Sequence, residues 1–172
     1  MKNYNSNRSA DKGHAGEERL STWFYENGIT YLPLKQTADS FTHRFADSAK
    51  RPDFFVLLES LGMLAVDAKN CTLSNGYFTL MLDEVKKAIA FEMFTRLPFW
   101  FLFLHESGGV TSWCWISSTS ALESGVVRTN HKTNSKFLAI SLQDFVRVQT
   151  YADMGKLYNH RQRFTGRIFE KF

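Results

Sequence analysis

Two carboxylates and a lysine interrupt the most apolar, strand-like part of this chain. They stand in Arg51-Pro52-Asp53-Phe54-Phe55-Val56 and in Leu64-Ala65-Val66-Asp67-Ala68-Lys69-Asn70. Charges within such runs need a chemical reason, because taking an unpaired charge out of water is costly. Side chains alternate along a strand, so Asp67 and Lys69, two positions apart, project from one face. A hairpin loop at Ser60-Leu61-Gly62 pairs Glu59 with Met63 and sets Phe55 opposite Asp67 and Asp53 opposite Lys69. Asp53, Asp67 and Lys69 then share a face, with the two aspartates as diagonal neighbours roughly 7–8 Å apart at the backbone. A slip of one residue would separate them.

A hard cation such as Mg²⁺ takes a few carboxylate and carbonyl oxygens plus water, and Asp53, Asp67 and the carbonyl of Ala68 supply such a set. Mn²⁺ is the alternative ion. Lysine is not a ligand for either, so the work open to Lys69 is to orient or help deprotonate an attacking water, or to neutralise charge building on a phosphate. A bound metal that acidifies water while clamping phosphate oxygens supplies nucleophile and electrophile together. The bland alternatives are a strand-start residue after proline for Asp53 and a sheet-end ion pair for Asp67 with Lys69. Cys71 has no adjacent histidine to activate it as a nucleophile, and His43, His105, His131 and His160 lack zinc-ligand spacing.

The elements that must position these groups are legible from periodicity. Residues 14–27 read as a helix ended by Gly28, with an apolar stripe at Leu20, Trp23 and Phe24. Glu17 lies one turn before Leu20 at the edge of the buried face, whereas Glu18 is rotated towards solvent, so Glu17 is the better inward carboxylate. Residues 30–35 read as a strand and 36–51 as a long polar loop carrying Arg44, Lys50 and Arg51. The hairpin follows, then a helix over 83–97 stopped by Pro98. Residues 99–105 and 111–117 read as strands around Gly108-Gly109, the first apolar on both faces as a central strand is. A further strand at 136–140 and helices at 142–148 and 151–164 complete the chain. The order gives a three-layer α/β domain, a mixed sheet flanked by helices, spanning 1–172 with a polar, flexible stretch at 1–13. The ring-rich segment Phe99, Trp100, Phe101, Phe103 with Trp113 and Trp115 reads as core packing.

Composition bounds the function classes. The chain has 172 residues, enough for one domain with a sizeable core, and two cysteines with no metal or disulfide spacing, which suits a reducing cytoplasm. The longest apolar run, 97–104, is too short to span a bilayer, and the polar start is no secretory signal. No membrane partner and no organic cofactor are expected. Residues 156–172 hold Lys156, Arg161, Arg163, Arg167 and Lys171 against Glu170 alone, which accounts for the net charge of +4. Such a tail suits phosphate neutralisation, the alternative being a solvated helix end.

Pro52-Asp53 followed by Asp67-Ala68-Lys69, each set in a hydrophobic strand and preceded by a helical Glu17, resembles the PD-(D/E)XK nuclease superfamily over residues 14–117. The resemblance implies a restriction endonuclease-like fold and a magnesium-dependent endonuclease that hydrolyses DNA, of restriction type or like a Holliday junction resolvase. Glu17 then resembles the first-helix glutamate that supports the metal, Asp53 the metal-binding aspartate, and Asp67 and Lys69 the acidic residue and lysine of the signature. The resemblance also implies a homodimer. Two departures stand out. The helix at Asp83-Glu84-Val85-Lys86-Lys87 lacks the glutamine that resolvase-like relatives often carry, leaving Lys86 to serve instead, and Asp67 stands where many relatives have the longer Glu. Arg44, Lys50, Arg51, Lys86, Arg161, Arg163 and Arg167 are the expected nucleic-acid contacts. The rival reading is a catalytically silent nuclease fold that binds nucleic acid or a partner protein.

Overall fold

The apolar runs at 64–66 and 99–103 become neighbouring central strands in a computed structural model, which describes residues 4–34, 48–60 and 62–159. In chain order the elements begin with α1 (Tyr4–Glu26), β1 (Thr30–Pro33), β2 (Phe54–Leu58), β3 (Gly62–Lys69) and β4 (Tyr77–Met81). After α2 (Leu82–Thr95) come β5 (Phe99–Ser107), β6 (Val110–Ser117), α3 (Ser118–Ser124), β7 (Val126–Asn130), β8 (Ser135–Ser141), β9 (Val146–Val148) and α4 (Gly155–Asn159). Among the described residues the strands form a six-stranded sheet, β1-β2-β3-β5-β6-β9, and a three-stranded sheet, β4-β8-β7. The β3–β5 pair is parallel and the other pairs are antiparallel. A parallel pair needs a long crossover, which β4 and α2 supply.

Both faces of the large sheet are covered, giving the three-layer mixed α/β architecture. On one face α1 lays Leu20, Trp23 and Phe24 against Val56, Val66, Leu102 and Trp115. On the other, Val85, Ala88 and Phe91 of α2, together with Phe78, Leu80, Leu138 and Ile140 of the small sheet, close over Ala65, Phe99, Phe101 and Phe103. Each large apolar side chain so buried stabilises the fold by about 1.5–3 kcal/mol before entropy is counted. The aromatic residues expected in the core are there: Phe99, Phe101, Phe103, Trp113 and Trp115 are buried and Trp100 is half-buried.

Several local expectations need correction. Helix α1 starts at Tyr4 and not at residue 14, its polar first half continuing the helix that the apolar stripe ends. The β2–β3 hairpin closes at Leu58↔Gly62 and not at Glu59↔Met63, Gly62 having a φ of 92°. The register therefore runs Phe54↔Val66 and Phe55↔Ala65, two residues from the expected one. A shift of two preserves facing, so the shared face of Asp53, Asp67 and Lys69 survives, and Asp53 comes beside Asp67. Residues 142–148 do not form a helix. A 3₁₀ turn at Leu142–Asp144 is followed by β9, whose Val146 and Val148 pair with Trp115 and Trp113 as β-branched residues on a sheet edge do. The helix read at 151–164 begins as a 3₁₀ turn at Tyr151–Met154 and continues as α4, and its remainder lies outside the described residues. Strands β4 and β7, and with them the small sheet, are additions to the expected elements. No helix among the described residues is long and apolar enough to cross a membrane.

Candidate functional site

The polar groups singled out above gather where β3 leaves the core. Asp67 is 2% exposed, in register with the fully buried Phe101 of β5. Lys69, two residues on, emerges on the same face with Nζ 5.6 Å from the Phe101 ring centroid, a cation–π contact that steers the ammonium across the sheet end. Asp53 stands just before β2. Its backbone N–H donates to Val66 O at 2.9 Å and its Oδ2 accepts from Ala68 N–H at 2.8 Å, so main chain on both sides fixes it beside Asp67. Helix α1 seats closely against this end: a Cβ on Gly16 would meet the Asn70 Cβ at 3.2 Å, and the neighbouring Glu17 is half-buried.

Helix α2 closes the other side with a residue the sequence reading passed over, Glu84. Lys69 Nζ lies 2.6 Å from Asp67 Oδ2 and also binds Glu84 Oε1. Lys50, expected as a phosphate contact beside the site, sits inside it: its Nζ is 3.1 Å from Asp67 Oδ1 and 2.6 Å from Glu84 Oε1, and its backbone N–H donates to Lys87 O at 2.9 Å. Two lysines and two carboxylates thus form a closed, charge-balanced ring, with each Asp67 oxygen facing a different ammonium. Glu84 could have been found from sequence: it falls one position before the buried Val85, in the first turn of a helix whose apolar face points at the sheet.

The electrostatics separate the carboxylates. Burial, then the Asp67 and Glu17 charges, push the Asp53 carboxyl up to about 7, against the pull of the Ala68 N–H and Lys50. Burial also acts to raise Glu84, but Lys69 and Lys50 outweigh it and hold this carboxyl below its ordinary range. Burial would lower both lysines, yet Asp67 and Glu84 keep Lys50 and Lys69 above the usual range. Asp53 is therefore the carboxylate under repulsion, the group a cation would relieve. Its folded-state pKa lies above the unfolded value, so the native state binds the extra proton and stability falls as pH rises from about 4 to 7. In EDTA, Asp53→Asn should raise the melting temperature at pH 8, with the gain shrinking towards zero near pH 4. A gain independent of pH would contradict this account.

The donor set fits a hard cation in part. Among the described residues no three His, Cys, Asp or Glu side chains are close enough to hold an ion by themselves. Asp53, Asp67 and the Ala68 carbonyl, completed by water, remain the set available, with Glu17 close enough for its charge to act on Asp53. Arg51 and Lys86 are half-buried near these segments, whereas Arg44, Arg161, Arg163 and Arg167 lie outside the described residues. Lys156, the described part of the basic tail, pairs with Asp153 at 2.6 Å. Cys71 is exposed, but its sulfur is shielded enough that desolvation raises the thiol despite the nearby Lys69, the opposite of an activated nucleophile.

No family model matches the chain, and no curated protein matches it. Among solved structures, Hjc of Archaeoglobus fulgidus, a Holliday junction resolvase from an archaeal hyperthermophile, superposes with a TM-score of 0.51 at 12% identity. The match covers 88% of this chain and 99% of that one. Likeness at that identity is likeness of fold, and the architecture of this chain, a mixed sheet between helices, is the restriction endonuclease-like one.

Proposed function

We propose that this chain is a metal-dependent endonuclease hydrolysing DNA phosphodiester bonds, of the resolvase-like or restriction type. The observation that carries the reading is the convergence of Asp53, Asp67 and Lys69 at one sheet end, in a fold shared with a resolvase. Asp53, Asp67 and the Ala68 carbonyl would hold Mg²⁺ or Mn²⁺, with Glu17 in support, and the ion would supply an acidified water and a clamp on phosphate oxygens. Lys69, held across Phe101, orients that water or meets charge developing on the phosphate. Glu84 and Asp67 keep the lysine charged and aimed, and Lys50 balances them. Arg51 and Lys86, with Arg44 and the arginines of the tail, are the proposed backbone contacts. A homodimer, whose two sites would cut two strands, is part of the same reading.

The closed ring of Lys50, Asp67, Lys69 and Glu84 favours one rival, a fold that binds nucleic acid without cutting it. Incubation of wild type and Asp67→Ala with linear, circular, single-stranded and four-way-junction DNA in Mg²⁺ and Mn²⁺ separates the two. The nuclease reading expects scission by wild type alone. A salt-dependent shift of DNA mobility with no scission in either ion would select the binding module.

A further inference from the structure

Strands β7 and β8 form a hairpin that outruns the sheet it belongs to. Pairing between β4 and β8 stops at Met81↔Phe137, whereas β7 and β8 continue through Arg128↔Phe137 and Thr129↔Lys136 to Asn130↔Ser135. The overhang begins where β4 turns into α2, the helix whose first turn carries Glu84. Every residue of β7 is exposed, and β7 is an edge strand.

The charge on this hairpin is of one sign. Residues 124–143 contain Arg128, Lys132 and Lys136 and no Asp or Glu. All three cations are exposed, and none forms an ion pair among the described residues. The Arg128 guanidinium lies 5.5 Å from the centroid of the partly exposed Tyr77 ring, which positions it without neutralising it. The tip is ordered by its own bonds: Asn134 N–H donates to Asn130 O at 2.8 Å, Lys132 N–H to Asn130 Oδ1 at 2.9 Å, and the Ser135 hydroxyl to Thr133 Oγ1 at 2.9 Å. A solvated turn does not need the exclusion of acids. Unpaired, like-signed charges on a braced projection, Arg128 on one face of the ribbon and Lys136 on the other, suit a polyanion that presents phosphates to both sides of the hairpin.

We propose that the β7–β8 hairpin is a backbone-gripping arm for duplex DNA, with Arg128, Lys132 and Lys136 contacting phosphates beside the site on α2. This deepens the nuclease reading and rests on it for the identity of the partner. The arm reads no base edges, so its contribution should be independent of sequence.

The test measures binding of a fluorescent DNA duplex by anisotropy, in Ca²⁺, across a salt series. The triple variant Arg128→Gln, Lys132→Gln, Lys136→Gln should flatten the slope of log affinity against log salt by about 2 to 3, as loss of three phosphate contacts requires. Lys132→Arg with Lys136→Arg should keep the wild-type slope, and unchanged circular dichroism would show that neither variant unfolds. A triple variant with the wild-type slope overturns the arm while leaving cleavage untouched. Dependence on the arm for an RNA duplex but not for DNA overturns the choice of partner. A flattened slope in a protein that cuts no DNA supports the arm and overturns the catalytic reading alone.

Discussion

Lys69→Ala should lower single-turnover DNA cleavage by about 10²–10⁴-fold while leaving DNA affinity within a few-fold of wild type. Lys69 is placed by three groups at once: Asp67 at 2.6 Å, Glu84, and the Phe101 ring at 5.6 Å. An ammonium so constrained can act on a water or a phosphate oxygen without paying much of the orientation entropy at the moment of reaction. Its removal leaves Lys50 on the opposite Asp67 oxygen, so Asp67 keeps a counter-charge and the fold should persist. Affinity should change little, because one charge among many backbone contacts is a small part of binding. A variant that cuts as fast as wild type would remove this lysine from the chemistry.

Phe101→Ala should cost about 3–5 kcal/mol of stability, read as a lower urea midpoint with an unchanged denaturant slope. Phe101 is fully buried and central in the sheet, 5.3 Å from the Phe99 ring, and its strand neighbour in the parallel register is Asp67. Neighbours locked in a sheet cannot collapse into the space a lost ring leaves, which puts the cost at the upper end for large-to-small changes. The same cavity removes the surface over which Lys69 lies, so residual folded protein should also cut more slowly. A loss below about 1 kcal/mol would mean that the side of the sheet facing α2 is loosely packed.

The readable parts of this molecule are those whose pattern is local. The run Leu64-Ala65-Val66 and the doubly apolar Phe99–Phe103 stretch announce central strands, whereas α2 ends at Thr95 on a left-handed Arg96, two residues short of the expected stop before Pro98. Asp53, Asp67 and Lys69 could be placed on one face because strand parity depends only on spacing, and parity survived a register error of two. The register differs from the expected one because turns placed one residue apart both offer plausible turn residues, and only the left-handed Ser60 and Gly62 decide between them. Strand β9 reads as helix in the sequence because Phe145, Val146 and Val148 fit either period over so short a span. What the sequence could not supply were partners distant along the chain. Lys50 and Glu84 are 34 residues apart and meet only because the loop before β2 is pinned to Lys87 of α2. The small sheet depends likewise on β4 pairing with β8 across more than fifty residues of chain.

The central claim is that Asp53 and Asp67 together seat a divalent cation beside Lys69. Titration of the protein with Mn²⁺, followed by the loss of the free-ion signal in electron paramagnetic resonance, tests it without recourse to any substrate. Wild type should bind Mn²⁺ at this site, more tightly as pH rises through about 7 and Asp53 ionises, and Asp53→Asn and Asp67→Asn should each lose that binding. Binding that is absent from wild type, or that survives both substitutions unchanged, would contradict the account.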